Sequence, residues 1–134
     1  MKIAGSAALV TGAASGLGAA TAAALAAREA SVYGLDLEKA VRGAAAPDGV
    51  TLLPADVTEE AGVRAALARI DDDGQELRLA VNCAGVAPAA RLVSRGGPHD
   101  LDLFRTVVGV NLVGTFNVLR LAADVMSQLR RVLT

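Results

Sequence analysis

Apolar positions along the chain follow two alternating rhythms. Short runs of four to six residues, at 7–10, 31–35, 50–54 and 77–82, are dense in Val, Leu and Ala and read as strands. Between them, apolar residues return at helical spacing. Residues 17–28 read as a first helix and 38–42 as a short second one, ahead of the turn-rich Ala46-Pro47-Asp48-Gly49. Thr58 is the expected N-cap of a third helix, with Glu59 and Glu60 in its first turn and Val63, Leu67 and Ile70 on its inner face. Asp100 is placed to cap a long last helix running to Leu133. Its inner stripe is expected to be Leu101, Phe104, Val108, Leu112, Thr115, Leu119, Ala122 and Met126. Val107, Val110, Val113, Val118 and Leu121 lie off that stripe. The stretch from Ser94 to Pro98 reads as a flexible insert.

Strands alternating with helices predict parallel βαβ units with right-handed crossovers. The expected fold is α/β, a Rossmann-like three-layer α/β/α arrangement in one domain over residues 1–134. Its partial doubly wound parallel sheet has order 3-2-1-4 and stops before a fifth strand. A ligand is then expected at the topological switch point between strands one and four.

The strand at 7–10 runs into Thr11-Gly12-Ala13-Ala14-Ser15-Gly16-Leu17-Gly18 and then into an alanine-rich helix. A strand, a glycine-rich turn and a helix N-terminus in succession present backbone N–H groups and a positive dipole end to a phosphate. Gly12 allows a sharp turn, Gly16 close approach of a pyrophosphate, and Gly18 close packing of helix on strand. The spacing is G-x-x-x-G-x-G. A triphosphate P-loop would end in Gly-Lys-Ser/Thr, whereas this turn continues Gly18-Ala19-Ala20. The glycines also interrupt any signal-peptide core, and Arg28 and Glu29 end the apolar run too early for a membrane helix.

Asp36 ends the second strand about twenty residues beyond the turn, where a carboxylate accepts hydrogen bonds from the ribose of a dinucleotide and repels a 2′-phosphate. Leu37 follows, where a basic residue would favour NADP. NAD is therefore the expected cofactor; the plainer reading of Asp36 is a helix cap. Asp56-Val57 after strand three fits an adenine contact or, equally by spacing, a cap. Asn82-Cys83-Ala84-Gly85 ends strand four with small residues that let a cofactor lie against the backbone. Cys83 has no His or basic partner nearby in sequence and reads as a structural thiol. His99 reads as a solvated loop residue. Asn111, an amide in the apolar run Val110-Asn111-Leu112-Val113, is either a satisfied core amide or a functional kink.

Taken together, the glycine turn, Asp36, Asp56-Val57, Asn82-Cys83-Ala84-Gly85 and Asn111 resemble the successive motifs of the classical short-chain dehydrogenase/reductases. The stretches 54–58, 80–85 and 110–118 look most like the type 2 3-hydroxyacyl-CoA dehydrogenase branch. The resemblance implies that Ser15, Leu17, Asp36, Asp56, Val57 and Cys83 contact NAD. It implies that Asn111 bends its helix and helps hold a water of the catalytic proton relay. It also implies oxidation of a secondary alcohol by a serine and a Tyr-x-x-x-Lys pair, in which the lysine lowers the pKa of the tyrosine. This chain has neither element of that pair in place. Its one tyrosine is Tyr33, in strand two, with Leu37 where the lysine would stand. Residues 1–134 are accordingly expected to be the N-terminal half of such an enzyme and inactive alone. The competing expectation is a module that holds a nucleotide, or a partner, without turnover. An S-adenosylmethionine methyltransferase is disfavoured by the glycine spacing and by Asn-Cys-Ala-Gly.

Composition narrows the partners. The net charge is -1, with no basic stripe, which argues against nucleic acid or an anionic membrane surface. One cysteine excludes an internal disulfide and suits the cytoplasm. One His and one Cys leave little for a metal site, so none is expected. Hydrophobic residues reach 53% and the mean hydropathy +0.44, which points to apolar surface covered by something else, here a homo-oligomer. A small-molecule substrate is expected only once the catalytic half is supplied.

Overall fold

The four expected strands form one parallel sheet in the order β3-β2-β1-β4. They are β1 (Ala7–Thr11), β2 (Ser31–Asp36), β3 (Val50–Pro54) and β4 (Leu77–Asn82). The computed structural model describes residues 2–132, with side chains through residue 129. Helices α1 (Gly16–Ala26), α2 (Glu38–Gly43) and α3 (Glu60–Asp72) make the crossovers. A helical rod follows as α4 (Leu101–Val108), a π-helical segment (Gly109–Gly114) and α5 (Thr115–Val132). The expected helix end at Leu133 lies outside the described residues.

Alternation along β1 explains why the layers form. Ala7 and Leu9 face one side of the sheet, Ala8 and Val10 the other, and all four are fully buried. On the first side Leu9, Leu35, Val63, Leu67, Ile70 and Leu77 pack with Val118 and Leu121 of α5. On the second, Val10, Val32 and Val50 pack under Ala22 of α1. The alanine content has a physical use here, because a helix of small residues settles close on the sheet. Gly34 of β2 serves the same end: a Cβ on it would lie 2.6 Å from Ala13 Cβ.

Three sequence expectations are corrected. Thr58 does not cap α3, which begins at Glu60. Its N–H and hydroxyl both donate to Asp56 Oδ1, at 2.9 and 2.7 Å, so an Asx-type turn uses the group a cap would need. The stretch from Ser94 to Pro98 is not a simple flexible insert; it closes a small hairpin of β5 (Val93–Ser94) and β6 (Gly97–Pro98), with Gly97 at φ 110. Most of the long rod presents a different inner stripe from the one expected. Leu101, Phe104, Leu112 and Leu119 are more than half exposed, whereas Val118 and Leu121, expected off the stripe, are buried; Ala122 and Met126 turn inward as expected. Val107 and Val110 also turn partly inward. The rod carries two apolar stripes, and the inner one is that with Gly114 and Asn117. Only a residue without a side chain passes Val57 there: a Cβ on Gly114 would lie 2.5 Å from Val57 Cγ2. The cap by Asp100 stands, its side chain accepting from Asp102 N at 2.9 Å.

Tyr33 lies in the middle of β2 and donates its hydroxyl to Asp73 Oδ2 at 2.8 Å, just past the C-terminal end of α3. Arg69 holds the same carboxylate, with Nε 3.0 Å from each oxygen. Burial, then the bond to Asp73, pushes the Tyr33 phenol up to about 12, while the Tyr33 and Arg69 bonds hold Asp73 below the usual carboxylate range. The folded chain favours the protonated phenol. That contribution is fully present below the ordinary phenol value of about 10 and is lost as pH rises towards about 12. Wild type should therefore exceed Tyr33→Phe in stability by about 1 kcal/mol at pH 8. Urea unfolding at pH 8 to 12 should show that margin closing above pH ~10. A pH-independent margin would contradict this assignment.

Candidate functional site

The C-terminal ends of the strands converge on a cavity of about 380 Å³, within the size range of small-molecule sites. Its floor is the turn between β1 and α1. Gly12 and Gly16 stand at φ 66 and 52, a backbone region that favours glycine. A Cβ on Gly12 would lie 2.9 Å from Ala84 N, and one on Gly18 would lie 2.0 Å from Gly12 O. No atom comes within 4 Å of the corresponding position on Gly16, so that face of the turn is open. Ser15 precedes α1 without making a side-chain cap, and no acidic residue stands in the first turn. The first amides of α1 are thus left to an anion.

The remaining walls come from the other three strand ends. Asp36 Oδ2 accepts from Ala14 N at 3.0 Å, and Oδ1 accepts from Leu37 N at 2.8 Å. The carboxylate therefore does not cap α2; it reaches back to the glycine turn and holds it to the end of β2. Each oxygen keeps a lone pair for a ligand hydroxyl. Asp56 gives one oxygen to the Thr58 turn. The buried hydroxyl of Thr11 accepts from both Cys83 N and Ala84 N at 3.1 Å, which ties the end of β4 to the end of β1.

The cavity brings together Gly12, Ser15, Gly16, Leu17, Gly18, Asp36, Asp56, Val57, Cys83, Ala84 and Gly85, as expected from sequence. Leu35, Leu37, Ala55, Val86 and Val110 complete it. Asn82 and Asn111 are not among the lining residues. Asn82 pairs with Thr11 in the sheet. Asn111 stands behind the wall: its Nδ2 donates to Val86 O at 2.8 Å and its Oδ1 accepts from Val86 N at 2.9 Å. The rod is widened into π-helix around it, so the kink reading matches the backbone. Cys83 is a free thiol 4.0 Å from Thr21 Oγ1. His99 is partly buried rather than freely solvated, with Nδ1 2.7 Å from Asp100 O. No group of three His, Cys, Asp or Glu side chains suited to a metal occurs among the described residues.

Sequence reasoning missed Asn117. This buried amide donates to Val57 O at 2.9 Å and accepts from Arg120 at 2.9 Å. Arg120 in turn pairs with Glu60, and Arg120 and Arg64 hold the Glu60 carboxyl below its ordinary range. The signal available was an amide one turn past Gly114, set between the apolar Phe116 and Val118.

The short chain dehydrogenase family profile matches residues 6–131. The chain belongs to the short-chain dehydrogenase family. It is 46% identical over 123 residues to a 3-hydroxyacyl-CoA dehydrogenase type-2 of Drosophila melanogaster, covering 88% of this chain and 48% of that protein. Against the Homo sapiens protein of the same name it is 43% identical over 132 residues, covering 95% of this chain and 51% of the relative. The chain thus spans about half the length of these relatives. Among solved structures, the ligand-free aldohexose dehydrogenase of Thermoplasma acidophilum superposes with a TM-score of 0.79 at 22% identity. That match covers 92% of this chain and 45% of the other, and it shows the shared fold. A short-chain dehydrogenase implies a nicotinamide cofactor, and the open glycine cradle and free helix amides fit one.

The two glycines of this dehydrogenase turn should separate by experiment. Gly18→Ala has no space and should cost ~3 kcal/mol or more of stability. Gly16→Ala should cost about 1–2 kcal/mol for the left-handed backbone, yet lose most nucleotide affinity because a methyl group then faces the phosphate path. Urea midpoints and nucleotide titrations of both variants check this; a stable, fully binding Gly18→Ala would contradict the geometry.

Proposed function

We propose that these residues form the NAD-binding portion of a short-chain oxidoreductase acting on a secondary alcohol or ketone such as a 3-hydroxyacyl-CoA. The observation that carries this reading is Asp36. Its carboxylate is anchored on Ala14 N beside the glycine turn, with the uncharged Leu37 next to it and Asp56 across the same cavity. Gly12, Gly16 and the first turn of α1 would take the pyrophosphate, with Ser15 and Leu17 beside it. Asp36 would take the adenosine ribose, and Asp56 and Val57 the adenine. Asn82, Cys83, Ala84 and Gly85 would pass the cofactor along the end of β4. When bound, the nicotinamide ring of NAD accepts or donates hydride. Asn111 would act in that chemistry by holding the Gly85–Val86 backbone and, as in the resembled family, a water of the proton relay.

A non-turning-over nucleotide module is the second reading, and Tyr33 favours it for these residues alone. The only tyrosine of the chain is occupied by Asp73. With its phenol at about 12, Tyr33 is a poor general acid/base at neutral pH. Small-molecule turnover would then depend on catalytic groups beyond this sequence.

The outer face of the α4–α5 rod supports self-association. Leu101, Phe104, Leu112, Phe116 and Leu119 are each more than half exposed there. By length and composition residues 101–129 would suffice to cross a membrane. Charged Asp102, Arg105, Arg120 and Asp124 lie exposed along the same rod, and its inner face packs on the sheet, so we assign the face to a second copy rather than to lipid. Nucleic acid is not proposed as a partner, and the free thiol of Cys83 suits a cytoplasmic setting.

Two measurements test these assignments. Wild type should bind NAD several-fold more tightly than NADP, because a 2′-phosphate near Asp36 costs at least ~1 kcal/mol; Asp36→Ala should narrow the gap. A wild-type preference for NADP would overturn the assignment. Sedimentation velocity over a micromolar range should show a dimer or larger species, since burying a few hundred Å² of apolar surface is worth roughly 25 cal/mol per Å² before association costs. A monomer at every concentration would contradict it.

A further inference from the structure

We propose that Asn117 is a positioning residue that sets the adenine wall of the dinucleotide site and thereby its preference for adenine over other bases. The inference rests on the dinucleotide reading above. Val57 lines the cavity, but it is gripped from behind by α5. Its carbonyl accepts from Asn117 Nδ2 at 2.9 Å, and its side chain occupies the space that a Cβ on Gly114 would fill. Asn117 cannot be reversed in this setting. Val57 O can only accept and the Arg120 guanidinium can only donate, so one end of the bridging group must donate and the other accept. An amide meets both demands, whereas a carboxylate would face a carbonyl and an aliphatic side chain would leave that carbonyl unpaired in the interior. Arg120 fixes the amide at 2.9 Å and is itself held by Glu60 at 2.6 Å. Glu60 is the first residue of α3. The turn carrying Asp56 and Val57 is therefore clamped at its carbonyl by α5 and, through Arg120, at the start of α3.

The consequence concerns the base. Asp56 Oδ1 is used by Thr58, and no protein donor reaches Oδ2 among the described residues, which leaves it for an exocyclic amino group. Its direction depends on the turn Asp56-Val57-Thr58, whose Val57–Thr58 peptide is held at its carbonyl by Asn117. When the amide is removed, Val57 O turns towards water, and the carboxylate and the Val57 side chain leave their places together.

The test compares NAD with nicotinamide hypoxanthine dinucleotide, which carries an oxygen in place of the adenine amino group. Both are titrated calorimetrically into the full 134-residue chain. Wild type is expected to favour NAD by about tenfold, the worth of one hydrogen bond to a charged group. Asn117→Leu should bring that ratio to about two or less, chiefly by weakening NAD, on the same scale. A variant that only loosened the fold would weaken both ligands alike, so an unchanged ratio in folded Asn117→Leu overturns the inference while leaving the dinucleotide reading intact. Wild type that binds NAD without discriminating also overturns it. Wild type that binds neither ligand overturns both readings. Arg120 is partly exposed, so Arg120→Leu serves if Asn117→Leu does not fold. By releasing the amide it should lower the ratio two- to threefold, roughly the worth of a weakened hydrogen bond, and an unchanged ratio there overturns the proposal.

Discussion

Between Gly18 and the carbonyl of Gly12 there is no room for a methyl group, and between Gly12 and Ala84 N there is barely more. These two backbone-to-backbone approaches join β1, α1 and β4 at one point. Thr11 seals it, since its hydroxyl accepts from two amides at the end of β4. Asp36 adds β2 by bonding Ala14 N. Close packing at this point opens the first turn of α1 towards the cavity, so the constraint that builds the fold also builds the site. A larger residue at either glycine would remove both together.

A second junction lies at Val57. Here the tight fit is between a loop and the rod rather than between a strand and a helix. Gly114 supplies space, Asn117 supplies a donor, and Arg120 carries the connection to Glu60. The same helix turns Leu112, Phe116 and Leu119 outward. One face of the rod thus braces the Asp56–Val57 end of the cavity while the other leaves apolar area exposed, and the two faces use different residues at helical spacing.

These two junctions also separate what was legible in the sequence from what was not. The four strands, the glycine turn and the place of Asp36 follow from local patterns: short apolar runs, the spacing of three glycines, and a carboxylate at a strand end. Each is decided within a few residues, so the structure agrees. Most of the inner stripe of the rod is not legible, because both stripes are apolar and periodicity alone does not choose between them. The choice falls to Gly114 and Asn117, whose suitability depends on Val57, distant in sequence. Thr58 is a good cap by residue type, but Asp56 two residues earlier claims its hydroxyl. Asn111 sits in a distorted helix, as the resemblance implies, while its two hydrogen bonds to Val86 depend on a contact across 25 residues.

Where the dinucleotide lies is best tested by amide chemical-shift mapping of the labelled chain with NAD. The account predicts that the largest shifts fall on residues 12–18, on Asp36 and Leu37, on Asp56 and Val57, and on residues 83–86. The amide of Ala14 should be prominent, because its carboxylate partner would then be shared with the ribose. Shifts confined to the outer face of the α4–α5 rod, or none at the glycine turn under saturating NAD, would contradict it.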